Sequence, residues 1–347
     1  MNNHRARDIV LKHGWNTTCF QILNPGIELW FSAGCEAVVG YVRKAGVRVV
    51  AGAPVCALED LRSVVEEWER AERSPVCYFG AEGRMRDAVA ERPGYSTVSM
   101  GAQPVWSPAT LVEQFEADRS LRAQRARARN KGVSVNEWEA EKANHHPALR
   151  NVLAEWLETR GLPPMHFLVE PETLGSLEGR RVFVASLADE PVGFLVLSPS
   201  PARRGWLTEQ FVRGAKAPNG TVEYMMIAAA RAVEAEGDEL ITMGIVPLAT
   251  RGGSEQNPVW LEIVMRWARA HGRRFYNFEG LEWFKDKFHP DSWEPIYAIA
   301  NEPRFSFRML YAVIAAFTQV PPPVALMRGI SRAAGQEIRW LTRKKAE

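Results

Sequence analysis

The chain has 347 residues, too many for one ordinary core and room for two domains of about 100–200 residues each. A hydrophobic fraction of 46% and a charged fraction of 24% make an ordinary globular balance, and the net charge of +2 matters less than where the charges sit. The first fifteen residues hold no apolar core of the ~7–15 residues a secretory signal needs, and no run approaches the ~20 that cross a bilayer.

Alternating apolar residues predict strands at Ile27–Phe31, Ala37–Val42 and Val47–Ala51. A helix follows over Leu58–Ala71, with Glu59 and Asp60 in its first turn, where the helix dipole favours acids. A strand at Val76–Phe79, a helix near Met85–Glu91 and a strand-like stretch at Tyr95–Val105 complete this half. Ser107 is placed to cap, and Pro108 to open, a long helix that runs to about Lys131 and ends at Gly132. Its cations, Arg119, Arg122, Arg125, Arg127, Arg129 and Lys131, ring the helix, as a solvated face or a phosphate-binding one would.

The second half begins with a strand at Val133–Trp138 and an amphipathic helix at Pro147–Arg160, stopped by Gly161 and Pro163-Pro164. Strands at Val182–Leu187 and Val192–Leu197 flank the turn Asp189-Glu190-Pro191. A third strand, Gly205–Val212, leads through the loop Gly214–Gly220 to a helix at Thr221–Glu236, ended by Gly237. A strand at Leu240–Met243, a helix at Val259–His271 ended by Gly272, and a closing strand at Trp293–Ile299 follow. The order supports an α/β or α+β chain with a mixed sheet. Met309–Phe317, preceded by Arg304 and Arg308, suits either a buried helix or one lying in a membrane interface. Arg328, Arg332, Arg339, Arg343, Lys344 and Lys345 form a second basic cluster.

The four cysteines, Cys19, Cys35, Cys56 and Cys77, form no CxxC pair and no zinc spacing, and read as buried thiols. Two segments carry most of the chemistry. In Arg204–Val233 a strand ends, and Pro218, Asn219 and Gly220 turn the chain into a helix. Backbone N–H groups at that start suit an anion, unless Thr221 is a simple N-cap. Glu209 lies in an apolar strand, a paired or working acid or a surface-facing one, and Glu223 lies in the first helical turn, a working acid or one placed to favour the helix dipole. In Phe275–Ala300, aromatics surround Lys285, Lys287 and His289, a setting in which one desolvated lysine suits an anion. His289 suits acid–base chemistry or a structural hydrogen bond.

The strings EQFVR, APNGTVEYMM, MGIVPLA and YNFEGLEWFKDKFHPDSWEPIYAIA resemble the C-terminal catalytic domain of phosphatidylglycerol lysyltransferases, the lysylphosphatidylglycerol synthetases. The resemblance implies an α+β fold with a mixed sheet: tandem GNAT-like acyltransferase lobes joined by a long basic helix. The implied bounds are an N-terminal lobe at 1–106, the connecting helix at 107–132, a catalytic lobe at 133–302 and an amphipathic basic tail at 303–347. It implies transfer of an aminoacyl group from aminoacyl-tRNA to an anionic lipid head group such as phosphatidylglycerol. The expected setting is the cytoplasm, peripheral on the inner face of the cell membrane, with no cofactor and no metal. By the same resemblance Lys287, Glu209 and Glu223 are the catalytic set, with Lys287 stabilising negative charge. Arg213, Asn219, Gly220, Thr221, Glu279, Phe288 and His289 are expected to bind substrate. The family usually has Asp where this chain has Glu209 and Glu223. No multi-helix membrane flippase of the family's kind is expected here, so Phe305–Phe317 is the segment expected to reach lipid. The alternative donor is an acyl thioester of coenzyme A or a carrier protein; the loop Gly214–Gly220 does not match the RxxGxG/A pyrophosphate loop of such enzymes.

Overall fold

The computed structural model describes residues 2–159, 165–251, 257–271 and 277–318. The expected helix stops at Gly161, Pro163-Pro164 and Gly272, and the basic cluster from Arg328 to Lys345, lie outside the described residues.

The first half runs α1 (Asn2–His13), β1 (Glu28–Phe31), β2 (Val38–Lys44), β3 (Val47–Ala51), α2 (Leu61–Ala71), β4 (Val76–Ala81), α3 (Gly83–Val89) and β5 (Ser96–Trp106). Two helices, α4 (Pro108–Ala117) and α5 (Arg119–Asn130), lead onward. Then come β6 (Val133–Trp138), α6 (Ala140–Ala143), α7 (Pro147–Glu158), β7 (Arg181–Leu187), β8 (Glu190–Ser200), β9 (Gly205–Arg213), α8 (Thr221–Ala235), β10 (Leu240–Thr242) and β11 (Val246–Pro247). The described chain closes with α9 (Val259–His271), α10 (Phe278–Asp286), β12 (Ser292–Ala300) and α11 (Phe307–Thr318).

Each half repeats one unit, an antiparallel hairpin followed by a helical crossover to a parallel strand. β2 and β3 pair antiparallel, and α2 carries the chain to β4, parallel to β3. β8 and β9 pair antiparallel, and α8 carries the chain to β10, parallel to β9. Among the described residues the strands join in one mixed sheet of order β1-β2-β3-β4-β12-β5-β10-β9-β8-β7-β6, with β11 paired to β5. The fold class is therefore the mixed α/β one the sequence implies. β12, the expected closing strand, lies between β4 and β5 and pairs antiparallel with both, so a strand translated in the second half completes the sheet of the first.

Helices cover both faces of each half. In the first, α1 and α11 close one apolar cluster, while α2 and α3 close another. In the second, α4, α5 and α8 cover one face and α7 the other. Three of the four cysteines, Cys19, Cys56 and Cys77, are buried free thiols that burial pushes up from their ordinary range; Cys35 is half-buried.

The single helix expected from Pro108 to Lys131 is a correction: it is two helices broken at Asp118. The Asp118 backbone is extended, and its carboxylate accepts from the Leu121 N–H at 2.8 Å, so an N-cap starts α5 inside a run of good helix formers. α11 is buried on one face and exposed on the other. Met309, Ala312, Val313, Ala315 and Ala316 are buried against β2 and β3, whereas Phe307, Tyr311 and Ile314 point outward. Arg308 fastens this helix by donating to the Ala45 and Gly46 carbonyls in the β2–β3 turn.

Candidate active site

β9 and β10 pair only over Gly205–Leu207 and Leu240–Thr242. Past Leu207, β9 keeps β8 on one side but loses its parallel neighbour, because β10 ends and the chain turns at Gly244, whose φ of 70° needs a residue without a side chain. The gap is filled from α10. The Lys285 ammonium is buried there and donates to the Met243, Gly244 and Ile245 carbonyls at 2.5, 2.8 and 3.2 Å. Burial pushes its pKa down to about 7. Phe284 sets its ring edge-on to Phe211 of β9 at 6.0 Å and to Phe288 at 5.6 Å, and Phe288 stacks on Phe115 at 6.4 Å.

At the end of α10, Lys287 Nζ lies 2.5 Å from Glu223 Oε1 in the first turn of α8. The ammonium also sits 4.2 Å from the Phe284 ring centroid and 5.0 Å from that of Phe288. Both side chains keep some contact with solvent, 20% exposed for Lys287 and 12% for Glu223. An ion pair walled by aromatic rings, yet open at one side, can exchange its partners for charged groups of a ligand.

The other expected site residues divide. Glu209 stands at a β-bulge: Gln210 faces Val196 and Thr208 faces Leu197, leaving Glu209 as the extra residue. Its carboxylate is taken by Arg180, with Nε–Oε2 at 2.8 Å and Nη2–Oε1 at 3.1 Å, both side chains 2% exposed. Arg180 also donates to the Ser176 carbonyl and Asn24 Oδ1 and lies over the Phe20 ring, so the structure gives Glu209 a partner other than Lys287. Arg213 donates to the Ala217 carbonyl at 2.9 Å and to Asn219 Oδ1 at 3.0 Å, holding the 214–220 loop. Gly220, not Thr221, is the N-cap of α8, with φ 93°, and a Cβ there would lie 1.9 Å from the Gln124 carbonyl oxygen of α5. The start of α8 is thus packed against a neighbouring helix. Thr221 is buried and donates to the Pro218 carbonyl at 2.7 Å.

Phe288 is fully buried, and its carbonyl accepts from Trp106 Nε1 at 2.8 Å. His289 faces outward, 3.0 Å from Asp118 Oδ2, where it adds to the Leu121 N–H in holding the Asp118 carboxyl below its usual range. Glu279 is exposed, 3.9 Å from Arg269. Lys287, Glu223 and Phe288 therefore come together; Arg213, Asn219, Gly220 and Thr221 shape the adjoining loop; Glu209, His289 and Glu279 have partners elsewhere.

Two groups escape a reading by motif. Lys285 was visible as one of a lysine pair, but only the fold tells which of the two is desolvated. Arg203 joins the halves. It donates to Glu82 at 3.1 Å and to both oxygens of Glu294, while Glu82 accepts from the Thr17 N–H and hydroxyl at 2.6 Å. Burial pushes the Glu82 carboxyl up against the pull of Arg203 and Thr17. Among the described residues no group of three or more His, Cys, Asp or Glu is placed to hold a metal ion.

The family described as phosphatidylglycerol lysyltransferase, C-terminal, matches residues 7–300. The chain belongs to that family. The match takes in both halves, and with them Glu223, Lys285 and Lys287 of the phosphatidylglycerol lysyltransferase-type domain. Among solved structures, a C-terminal domain ascribed to a lysylphosphatidylglycerol synthetase of Agrobacterium fabrum superposes with a TM-score of 0.75 at 19% identity, covering 91% of this chain and 97% of that one. The L-PGS structure from Bacillus licheniformis gives 0.74 at 18%, covering 90% and 95%. FemX gives 0.57 at 10%, covering 90% and 98%. At these identities the likeness is one of fold. An uncharacterized protein of Corynebacterium glutamicum is 21% identical over 281 residues, 77% of this chain. The chain spans about a third of that relative's length, 35%.

Proposed function

We propose that the chain is an aminoacyltransferase that moves an aminoacyl group from aminoacyl-tRNA to a lipid head group, phosphatidylglycerol or one like it, at the cytoplasmic face of the membrane. The observation that carries this reading is the Lys287–Glu223 pair, partly open to solvent beside the Phe284 and Phe288 rings and inside the segment matched by the family. The reaction exchanges one ester for another. The acceptor hydroxyl oxygen attacks the ester carbonyl carbon, the bond to the ribose oxygen breaks, and the hydroxyl proton ends on that oxygen. No energy-supplying cofactor is needed for such an exchange.

In this reading Glu223 takes the ammonium of the donor. Lys287, released from Glu223, meets the lipid phosphate or the oxyanion of the tetrahedral intermediate. Phe211, Phe284 and Phe288 keep water from the ester, and Arg213 with Asn219 fixes the adjoining loop. Glu209, bound by Arg180, is assigned to holding the bulge of β9 beside Phe211. The thioester alternative has less support: the loop Gly214–Gly220 lacks the RxxGxG/A pattern, and Gly220 at the start of α8 packs closely on the Gln124 backbone of α5.

The test follows label from aminoacyl-tRNA into the chloroform phase in an RNase-sensitive manner. Lys287→Met is expected to lower transfer by about 100-fold or more with folding unchanged. Glu223→Gln is expected to act chiefly on KM for the donor. Undiminished transfer by Lys287→Met, or turnover with an acyl thioester and none with aminoacyl-tRNA, would sink the reading.

A further inference from the structure

α9 and α11 both pack on the first half's core and touch near their starts through Trp260 and Phe307, whose ring centroids are 4.0 Å apart. Their inner faces are accounted for: Leu261 of α9 and Met309, Ala312, Val313 and Ala316 of α11 are buried in one cluster. Their outer faces are apolar as well. On α9, Val259 is 72% and Ile263, one helical step further on the same side, 58% exposed. On α11, Phe307 is 64% and Ile314 42% exposed, with Tyr311 between them. An isolated exposed leucine needs no explanation, but two adjoining helices that are apolar on their solvent sides do.

We propose that the outer faces of α9 and α11 form a lipid-docking surface, on which the chain rests in the headgroup region of an anionic bilayer. The proposal rests on the function assigned above, whose acceptor is a membrane lipid. Two observations select a lipid surface as the occupant. The patch mixes aliphatic side chains with Phe307 and Tyr311, rings suited to a membrane–water boundary. The same elements carry exposed Arg266 and Arg304, and Arg308 held on the β2–β3 turn, against exposed Glu262, an excess of positive charge that complements anionic head groups. No described helix is long and apolar enough to cross a membrane, and the docking proposed is a shallow one. Apolar side chains and flanking cations then act as the two signals that reversible anchoring requires.

The experiment is co-sedimentation of the full chain with vesicles of phosphatidylcholine alone and of phosphatidylcholine mixed with phosphatidylglycerol. Binding to the mixed vesicles is expected to be the stronger and to weaken with salt. Ile263→Glu and Ile314→Glu, singly, are each expected to reduce partition, and together by about tenfold or more. Both positions face solvent, so thermal unfolding is expected to match the parent, and Leu58→Glu, at an exposed apolar residue before α2, is the control that leaves partition unchanged. Equal partition of the double variant and the parent would overturn the proposal. So would a parent that ignores both vesicles because this surface is covered by a second copy or by residues 319–347. Aminoacyl transfer to a detergent-dispersed short-chain phosphatidylglycerol separates this outcome from failure of the proposed function. Transfer without vesicle binding sinks the docking surface alone, and vesicle binding without any transfer sinks the function alone.

Discussion

At the scale of single residues, the two lysines of α10 divide the work. Lys287 meets a carboxylate at a solvent-touching edge, whereas Lys285, two residues earlier, is sealed under three carbonyls. Lys285 is therefore expected to make stability depend on pH. Below about 7 the ammonium is charged in both folded and unfolded chains. Between about 7 and the unfolded value near ~10.4 the unfolded chain holds the extra proton, so stability contributed through this residue rises with pH. The stability of the wild type relative to Lys285→Met, measured by denaturant unfolding at pH 6 and pH 9, should improve at the higher pH; a pH-independent difference would count against the assignment. Arg180 gives a larger effect. Arg180→Met strands the Glu209 carboxylate in the interior and should cost about 3–5 kcal/mol, while adding Glu209→Gln should recover much of that. A double variant no more stable than Arg180→Met would show that the pair matters through packing instead.

At the scale of elements, much was legible in the chain itself. The strand at Val133–Trp138, the hairpin around Asp189 and the helix from Thr221 all follow from periodicity and turn residues that act locally. The resemblance groups Glu223 and Glu209 with Lys287; in the fold the Glu223 and Lys287 side chains meet, whereas Glu209 is held by Arg180. The Arg180–Glu209 pair had no such signal, because residues far apart in sequence meet only once β9 and the segment before β7 pack together. The break at Asp118 was missed for a different reason: residues on both sides favour helix, and one aspartate with an extended backbone outweighs them by supplying a cap. Asp118→Ala should cost about 1 kcal/mol, and Asp118→Asn only a small part of that, since an amide oxygen also caps. Equal losses for the two in denaturant unfolding would point to the His289 contact, not the cap, as the source of stability.

At the scale of the molecule, the lobes are not separable beads. β12 is hydrogen-bonded to β4 on one side and β5 on the other, and Arg203 links Glu82 with Glu294 across the same junction. Unfolding followed by tryptophan fluorescence and by far-UV circular dichroism should therefore give one coincident transition, not two. Two resolved steps would mean that the halves hold their structure independently.

The placement of β12 also governs the order of assembly. β4 and β5 leave the ribosome long before the strand that must lie between them, and until it arrives each presents a bare edge of unpaired N–H and C=O groups. A nascent chain in that state is open to pairing with its neighbours on a polysome, so yield in the cell should hinge on chaperone cover during this interval more than on the equilibrium stability of the finished sheet.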